Sequence, residues 1–440
     1  MIKESFIVKA LEANSLQITN HNMSQNASQN MEQNVEHISA IVTPEQLTFI
    51  QRRCRALVHS ALAKVTHGQL ELIEGDKHFH FGVQGSDIKA QIKVHDVSVY
   101  TSFVKGGSIG ASEAYIDNRW SCDDLTSLIR IFARAQKVTD SMESKMAWIG
   151  KVKNALFHRR NRNTVSGSKR NILAHYDLGN ELYTRFLDES MMYSSAIYPS
   201  EEATLAQAQQ HKLATICEQL QLDDNDHLLE IGTGWGGLAI YAAQNYGCRV
   251  TTTTISEAQY NYAQAKVNEL GLQDRITLLK KDYRELEGEY DKLVSIEMIE
   301  AVGHEYFDSF FSQCNARLKS GGKMLIQAIT IADQRFDYYR NNVDFIQRYI
   351  FPGGCLPSIQ LMSQQIADNT EMVIESISDI GLDYARTLAD WRQAFFKSWP
   401  ELSQLGYDDT FKRLWTYYLC YCEGAFLERS TSTVHLLARK

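Results

Sequence analysis

Residues 228–237 read Leu-Leu-Glu-Ile-Gly-Thr-Gly-Trp-Gly-Gly. An apolar run carrying one acidic residue gives way to a glycine turn, and a helical segment follows. An open α/β sheet holds a nucleotide-like ligand in this way, because glycines lack the Cβ that would keep the backbone at a distance. Gly232, Gly234 and Gly237 also fit the dinucleotide spacing G-x-G-x-x-G, so the loop alone leaves two cofactor classes open. Two details separate them. Glu230 stands two residues before the first glycine, where an S-adenosylmethionine site uses a carboxylate near the positively charged methionine moiety. A dinucleotide site wants an acidic residue roughly 20 positions on, at the end of the second strand. Here that strand ends Val250-Thr251-Thr252-Thr253-Thr254, without a carboxylate. The loop is read as a methyltransferase loop.

From residue 171 onward strands and helices alternate. His227–Ile231 is the first strand and Gly237–Asn245 the helix after the loop; Arg249–Thr254 is the second strand, followed by a helix from Glu257 to about Leu270. Ile276–Lys280, Lys292–Ile296 and Lys323–Ile331 are further strands. This alternation implies an α/β fold with a doubly wound, mostly parallel sheet, Rossmann-like as in class I methyltransferases. Before it, residues 41–150 form a smaller α+β part, with Phe79–Val83 and Ala90–Val94 expected as paired strands and a helix near Asp123–Ala135. Residues 1–40 are rich in Asn, Gln and Ser and are expected to be disordered. Residues 151–170 carry Lys151, Lys153, Arg159, Arg160, Arg162, Lys169 and Arg170 with no acidic residue. They are either a solvated linker or a patch facing anionic lipid, which would contribute on the order of 1 kcal/mol per charge. The catalytic part is taken as 171–440.

The 440 residues carry a formal charge of −8, which argues against a globally basic nucleic-acid binder. No apolar run approaches the roughly 18 to 20 residues needed to cross a bilayer, and the N-terminus lacks a secretory pattern. The cysteines at 54, 122, 217, 248, 314, 355, 420 and 422 are scattered, so neither a disulfide framework nor a metal site is expected. A cytoplasmic location follows as an expectation.

Ligands of doubly wound sheets sit outside the carboxyl ends of the strands. After the second strand, Ser256 reads as a helix cap, while Thr254 and Gln259 could meet a cofactor's sugar. After the third, Asp282-Tyr283-Arg284 is either an adenine pocket or a solvated turn. After the fourth, Glu297 and Glu300 lie three apart, so one or both could enter a pocket unless they are a solvated acidic pair.

Further motifs resemble those of the cyclopropane fatty acid synthases, a family that includes mycolic acid cyclopropane synthases and fatty-acid methyltransferases. They are Gly107-Ser108-Ile109-Gly110-Ala111-Ser112-Glu113-Ala114-Tyr115, His175-Tyr176-Asp177-Leu178-Gly179-Asn180 and the Tyr349–Ser358 segment Tyr-Ile-Phe-Pro-Gly-Gly-Cys-Leu-Pro-Ser. Asp383-Tyr384 with Thr387-Leu388 and Trp391, and Cys422-Glu423-Gly424-Ala425-Phe426, complete them. The resemblance runs from about residue 50 to the C-terminus.

It implies a reaction in which a methyl group from S-adenosylmethionine is placed on the cis double bond of an unsaturated phospholipid acyl chain. A carbocation forms in a dry, aromatic pocket, and a base then removes a methyl proton so that the ring closes. In that family a bound bicarbonate is understood to be the base. By resemblance Glu300 would hold it, with the Ile329 backbone, the Tyr384 hydroxyl and the Ser195 amide. The cofactor site would comprise Tyr193, Ser194, Glu230, Gly232, Gly234, Trp235, Gly236, Gly237, Thr254, Gln259, Asp282 and Tyr283. Two positions depart from the family pattern: Ser195 replaces a cysteine, and Gln327 a histidine. Glutamine donates a hydrogen bond but carries no proton or charge. Cys422 is a nucleophile candidate or a buried structural thiol. A methyl- or methylene-branched product and a decayed lipid-binding protein are the competing readings. The intact glycine loop and Glu300 count against decay. Partners implied are membrane phospholipids, reached by peripheral contact at the inner face of the membrane, and a homodimer.

Overall fold

The computed structural model describes residues 47–135, 161, 163–164 and 179–440. The tail 1–40 and the lysines and arginines of the 151–170 segment lie outside these described residues, as do residues 175–178 of the His175–Asn180 motif. Thr48 opens helix α1 (Phe49–Leu62) with a capping box shared with Gln51. Strands β1 (Gln69–Glu74), β2 (Lys77–Gly82) and β3 (Lys89–Val94), helix α2 (Val99–Ile116), strand β4 (Trp120–Cys122) and helix α3 (Leu125–Arg134) follow. Asp124 caps α3 by accepting from Ser127 N at 2.9 Å.

The strand order in this first sheet is β2-β1-β3-β4, so the two strands expected to pair do not. β1 lies between them, antiparallel to β2 across the tight turn at Gly75 and parallel to β3. Its sequence, Gln-Leu-Glu-Leu-Ile-Glu, hides a half-buried strand because Glu74 is an inward-facing acid. That carboxylate is satisfied by Arg55 (2.8 Å) and His59 (3.1 Å) of α1 and by the Tyr100 hydroxyl.

Helices α4 (Asn180–Phe186) and α5 (Leu205–Leu220) lead into the larger sheet. There β5 (His227–Ile231), α6 (Gly237–Tyr246), β6 (Arg249–Thr253), α7 (Glu257–Glu269), β7 (Ile276–Leu279) and β8 (Tyr290–Ile296) alternate. Then come α8 (Phe307–Arg317), β9 (Leu318–Ile331), α9 (Asp333–Arg340), α10 (Ile359–Asn369), β10 (Val373–Asp379), α11 (Gly381–Gln404), α12 (Asp409–Leu427) and β11 (Thr431–Arg439). The order is β10-β11-β9-β8-β5-β6-β7, with β5 to β9 parallel to their neighbours and β11 antiparallel between β9 and β10.

The central strand explains its own apolar run, since it is covered on both faces. Leu228 packs with Leu213 and Leu238 of the α5–α6 side, and Leu229 and Ile231 pack with Phe310 and Phe311 of the other. The expected α/β class with a mostly parallel sheet is what the chain adopts. Unforeseen were β10, an exposed edge strand with a weak apolar pattern, and β11, which completes the sheet.

Helix α12 joins the two sheets. Its Glu423 accepts from Thr126 Oγ1 of α3 (3.0 Å) and from Arg392 of α11 (2.9 Å). Arg413 donates to the carbonyls of Tyr115 (2.5 Å) and Trp120 (2.7 Å). Trp415, Tyr417 and Tyr418 share one apolar cluster with Leu128 and Ile131 of α3.

Candidate active site

Past Ile231 the chain turns through Gly232 (φ +105°), Gly234 (φ +53°) and Gly236 (φ +93°), backbone that side chains rarely tolerate. A Cβ at Gly232 would press on Met298 at 3.3 Å, while at Gly234 it would meet nothing within 4 Å, because that glycine borders a cavity. Gly237 serves helix packing: a Cβ there would come within 2.6 Å of Met192 Sδ and Ser190 O. Gly236 and Gly237 stand off the cavity wall, so they shape the loop and do not line the cavity.

Glu230 does line it. It is buried and accepts from Thr252 Oγ1 at 2.5 Å. Burial pushes its carboxyl up to about 8, with the Thr252 bond acting against that rise. A carboxyl in this state ionises when a cation arrives beside it. Tyr193, Ser194, Trp235, Thr254, Gln259, Asp282 and Tyr283 border the same space. Ser256 does cap α7, accepting from Gln259 N at 3.3 Å, and Thr254 donates to Gln259 Oε1 at 2.9 Å. Asp282 is a buried wall residue, not a solvated turn, and is gripped by Arg284 through two bonds of 2.7 and 2.6 Å. Trp235 Nε1 donates to Asn180 Oδ1 at 3.1 Å, and Ser194 Oγ accepts from the fully buried Lys212 at 2.8 Å.

A second polar cluster stands just past β8. Glu297 has φ +47°, a left-handed conformation that costs a non-glycine residue ~1–3 kcal/mol and persists only where the surroundings hold it. Here the side chain is held. Its Oε1 accepts from Ser195 N (2.9 Å) and Gln327 Nε2 (2.8 Å), and its Oε2 from the Tyr384 hydroxyl (2.7 Å). Gln327 is oriented in turn by His435 of β11, whose Nε2 lies 3.0 Å from Gln327 Oε1. Burial lowers that imidazole to about 4, so it is neutral and serves as a donor. Lys212, lowered to about 8 by burial, draws part of its remaining charge preference from Glu297.

Glu300 accepts from Ile329 N at 2.5 Å, and its Oε2 is buried with no partner among the described residues. Burial, and secondarily the neighbouring Glu297, raise it to about 8. Both acids line the cavity, so neither belongs to a solvated pair.

The structure thus gathers Glu300, Ile329, Ser195, Gln327 and Tyr384 as the resemblance implied, but around a carboxylate of the chain itself. Of the donors expected to hold bicarbonate, the Ser195 amide and the Tyr384 hydroxyl are engaged by Glu297 and the Ile329 amide by Glu300. A bicarbonate does not fit among them, since it would face that carboxylate at close range and find its donors taken. Cys422 lies on the cavity wall, and burial pushes its thiol upward, so no thiolate is on hand and the nucleophile reading is set aside.

Aromatic rings complete the wall. The Tyr193 ring is 5.2 Å from Trp391, with its hydroxyl 2.8 Å from that of Tyr418, and Tyr384 is 4.6 Å from Phe426. The cavity measures about 1160 Å³, above the ~300–1,000 Å³ that holds one small ligand. From the glycine loop it passes Glu297 and ends among Leu57, Leu72, Phe103, Ile129 and Phe132 of the first sheet and its helices. It joins a polar end to an apolar sleeve. His435, Lys212 and Tyr418 were not foreseen as site residues; for His435 no signal existed once its strand went unrecognised.

Comparison with known proteins agrees with this geometry. The family model described as mycolic acid cyclopropane synthetase matches residues 164–436. The chain is 39% identical to the cyclopropane-fatty-acyl-phospholipid synthase of Escherichia coli (strain K12), over 77% of this chain and 85% of that protein. It is 35% identical to the tuberculostearic acid methyltransferase UfaA1 of Mycobacterium tuberculosis, over 73% of this chain and 76% of that one. Among solved structures, the cyclopropane synthase MmaA2 from Mycobacterium tuberculosis superposes with a TM-score of 0.58 at 26% identity, covering 62% of this chain and 98% of that one. The mycolic acid cyclopropane synthase CmaA1, complexed with SAH and CTAB, gives 0.58 at 28% identity, covering 62% and 98%. The glycine turn, the gathered carboxyls and the extent of these matches agree: the chain belongs to the mycolic acid cyclopropane synthetase family.

Proposed function

We propose that this protein converts cis-unsaturated acyl chains of phospholipids to cyclopropane chains. It is an S-adenosylmethionine-dependent methyltransferase. The observation that carries the reading is one continuous cavity that places a buried, cation-seeking carboxyl at the glycine loop, a carboxyl pair at its centre and an apolar sleeve beyond.

The residues present fit the cofactor. Glu230 is a buried acid that a positive charge would ionise, and the Gly232–Gly234 turn leaves room for a ligand against the backbone. Tyr193, Ser194, Thr254, Gln259, Asp282 and Tyr283 would hold its remaining polar parts. When bound, S-adenosylmethionine supplies a methyl group made electrophilic by its sulfonium. The apolar sleeve aligns the alkene, and such positioning is the main lever available for an unactivated double bond. Tyr193, Tyr384 and Phe426 line the cavity, where they exclude water and offer ring faces to the positive charge left on the acyl chain. Glu300, beside Glu297 and held neutral by burial, would shape the base region. Bicarbonate has no place in this reading.

Among the described residues no helix is long and apolar enough to cross a membrane. Peripheral contact with the inner membrane face is supported by α1. It lines the cavity with Leu57 and Val58 and leaves Phe49 and Ile50 exposed by 69% and 61%. The basic stretch in the sequence at 151–170 would add attraction to anionic lipid.

The test is incubation with methyl-labelled S-adenosylmethionine and vesicles of cis-unsaturated phospholipid. Label should enter the acyl chains with the upfield ring-methylene proton signals of a cyclopropane. Labelled chains without those signals would move the branched product ahead.

A further inference from the structure

We propose that Glu297 is the base of the reaction, a carboxylate built into the chain where the family resemblance calls for a bound bicarbonate. The assignment rests on the cyclopropanation reading above.

The position of this acid is over-determined. Glu297 is held in left-handed backbone, and its carboxylate collects three hydrogen bonds, from Ser195 N, Gln327 Nε2 and Tyr384 Oη. These groups come from three separate stretches of chain. A carboxylate has about four acceptor positions, so with these three filled one on Oε2 is left for a proton. Glu297 borders the cavity, so that position is within reach of a substrate. Two independent features thus describe one arrangement: a strained backbone that aims a side chain, and a cradle of donors that receives it. Burial raises this carboxyl above the ordinary range while the three donors and Lys212 act to keep it charged, the balance a base needs to accept a proton during turnover.

The step balances. After methyl transfer the acyl chain carries a carbocation next to the new methyl group. Glu297 Oε2 takes a proton from that methyl. The freed C–H electron pair forms the C–C bond that closes the ring and quenches the cation. Glu297 is left as a carboxylic acid and returns its proton to solvent once product leaves. No further reactant is required.

Two substitutions and a buffer test this. Wild-type turnover should be unchanged when bicarbonate is stripped from the buffer under argon. Glu297→Gln keeps the shape but not the basicity, and should lower turnover ~10²–10⁴-fold, with S-adenosylmethionine affinity by calorimetry within about threefold of wild type. Glu297→Gly suits the left-handed backbone, so it should fold; it should be inactive in stripped buffer and recover at least about tenfold as bicarbonate is titrated in. Wild-type turnover that falls on stripping and returns with bicarbonate overturns the assignment. So does full activity of either variant in stripped buffer. Label transfer that depends on bicarbonate defeats Glu297 alone, whereas no label transfer by the wild type defeats the underlying reading as well.

Discussion

Glu230 and Glu297 stand at the carboxyl ends of the neighbouring parallel strands β5 and β8, and both line the cavity. Their surroundings differ. Glu230 accepts one hydroxyl hydrogen bond and, among the described residues, draws no charge from a neighbouring cation, so burial dominates and the Thr252 bond only partly offsets it. Glu297 accepts three bonds and lies within electrostatic reach of the buried Lys212. An acid left short of partners is a site waiting for a positively charged ligand. An acid supplied with partners is a fixed charge that belongs to the protein. The two acids of one cavity are distinguished by what the fold has already provided.

The difference can be broken from either side. The largest effect should come from Glu230→Ala, which removes the charge the cofactor needs and should weaken S-adenosylmethionine binding by at least ~100-fold in calorimetry. Undiminished affinity would remove Glu230 from the site. At Glu297, Tyr384→Phe takes away one of the three donors. It should cost ~10- to 100-fold in turnover, corresponding to the ~1.5–3 kcal/mol of a hydrogen bond to a charged group, with little change in cofactor affinity.

A smaller effect is pH linkage. With its carboxyl raised to about 8, Glu230 is neutral below that pH in the free protein, so binding a cation must release its proton. Affinity should therefore climb as pH rises towards 8, by up to about tenfold per unit, and level off above. Calorimetry in two buffers of different ionisation enthalpy should register that proton, and Glu230→Gln should abolish its release. The sign follows for stability too: with a folded value above the unfolded one, the free protein gains from the neutral acid at low pH and loses that gain as pH rises through about 8.

The smallest expected change lies away from both acids. A Cβ at Gly424 of α12 would stand 2.8 Å from Ile129 and 3.2 Å from Thr126 O. Gly424→Val should therefore lower stability by ~1–3 kcal/mol through overpacking, read as a fall in Tm. An unchanged Tm would mean that α12 and α3 part easily.

Much of this architecture was legible because its signals are local. The glycine loop, the buried apolar run of β5 and the alternation that follows each depend on a few adjacent residues, and they correctly indicated a doubly wound sheet. The residues around the base were recognisable only by resemblance, since Ser195, Gln327 and Tyr384 are far apart in the chain. What escaped depends on contacts that no local pattern carries. β1 was hidden by an inward glutamate whose partners lie on another helix. β11 went unrecognised, and with it His435, which orients Gln327. Glu297 was in view as one of two acids three apart, but its orientation is set by a left-handed backbone and by donors from elsewhere. Position alone could not say which of the pair would occupy the centre.

The most direct test uses S-adenosylmethionine with a fully deuterated methyl group and vesicles of cis-unsaturated phospholipid, in buffer stripped of bicarbonate, with the acyl products weighed by mass spectrometry. A base that acts on the new methyl group must leave two of its three deuterons in a ring-containing chain, at a rate equal to that in bicarbonate-replete buffer. Chains that retain all three deuterons, or product that forms only when bicarbonate is returned, would contradict it.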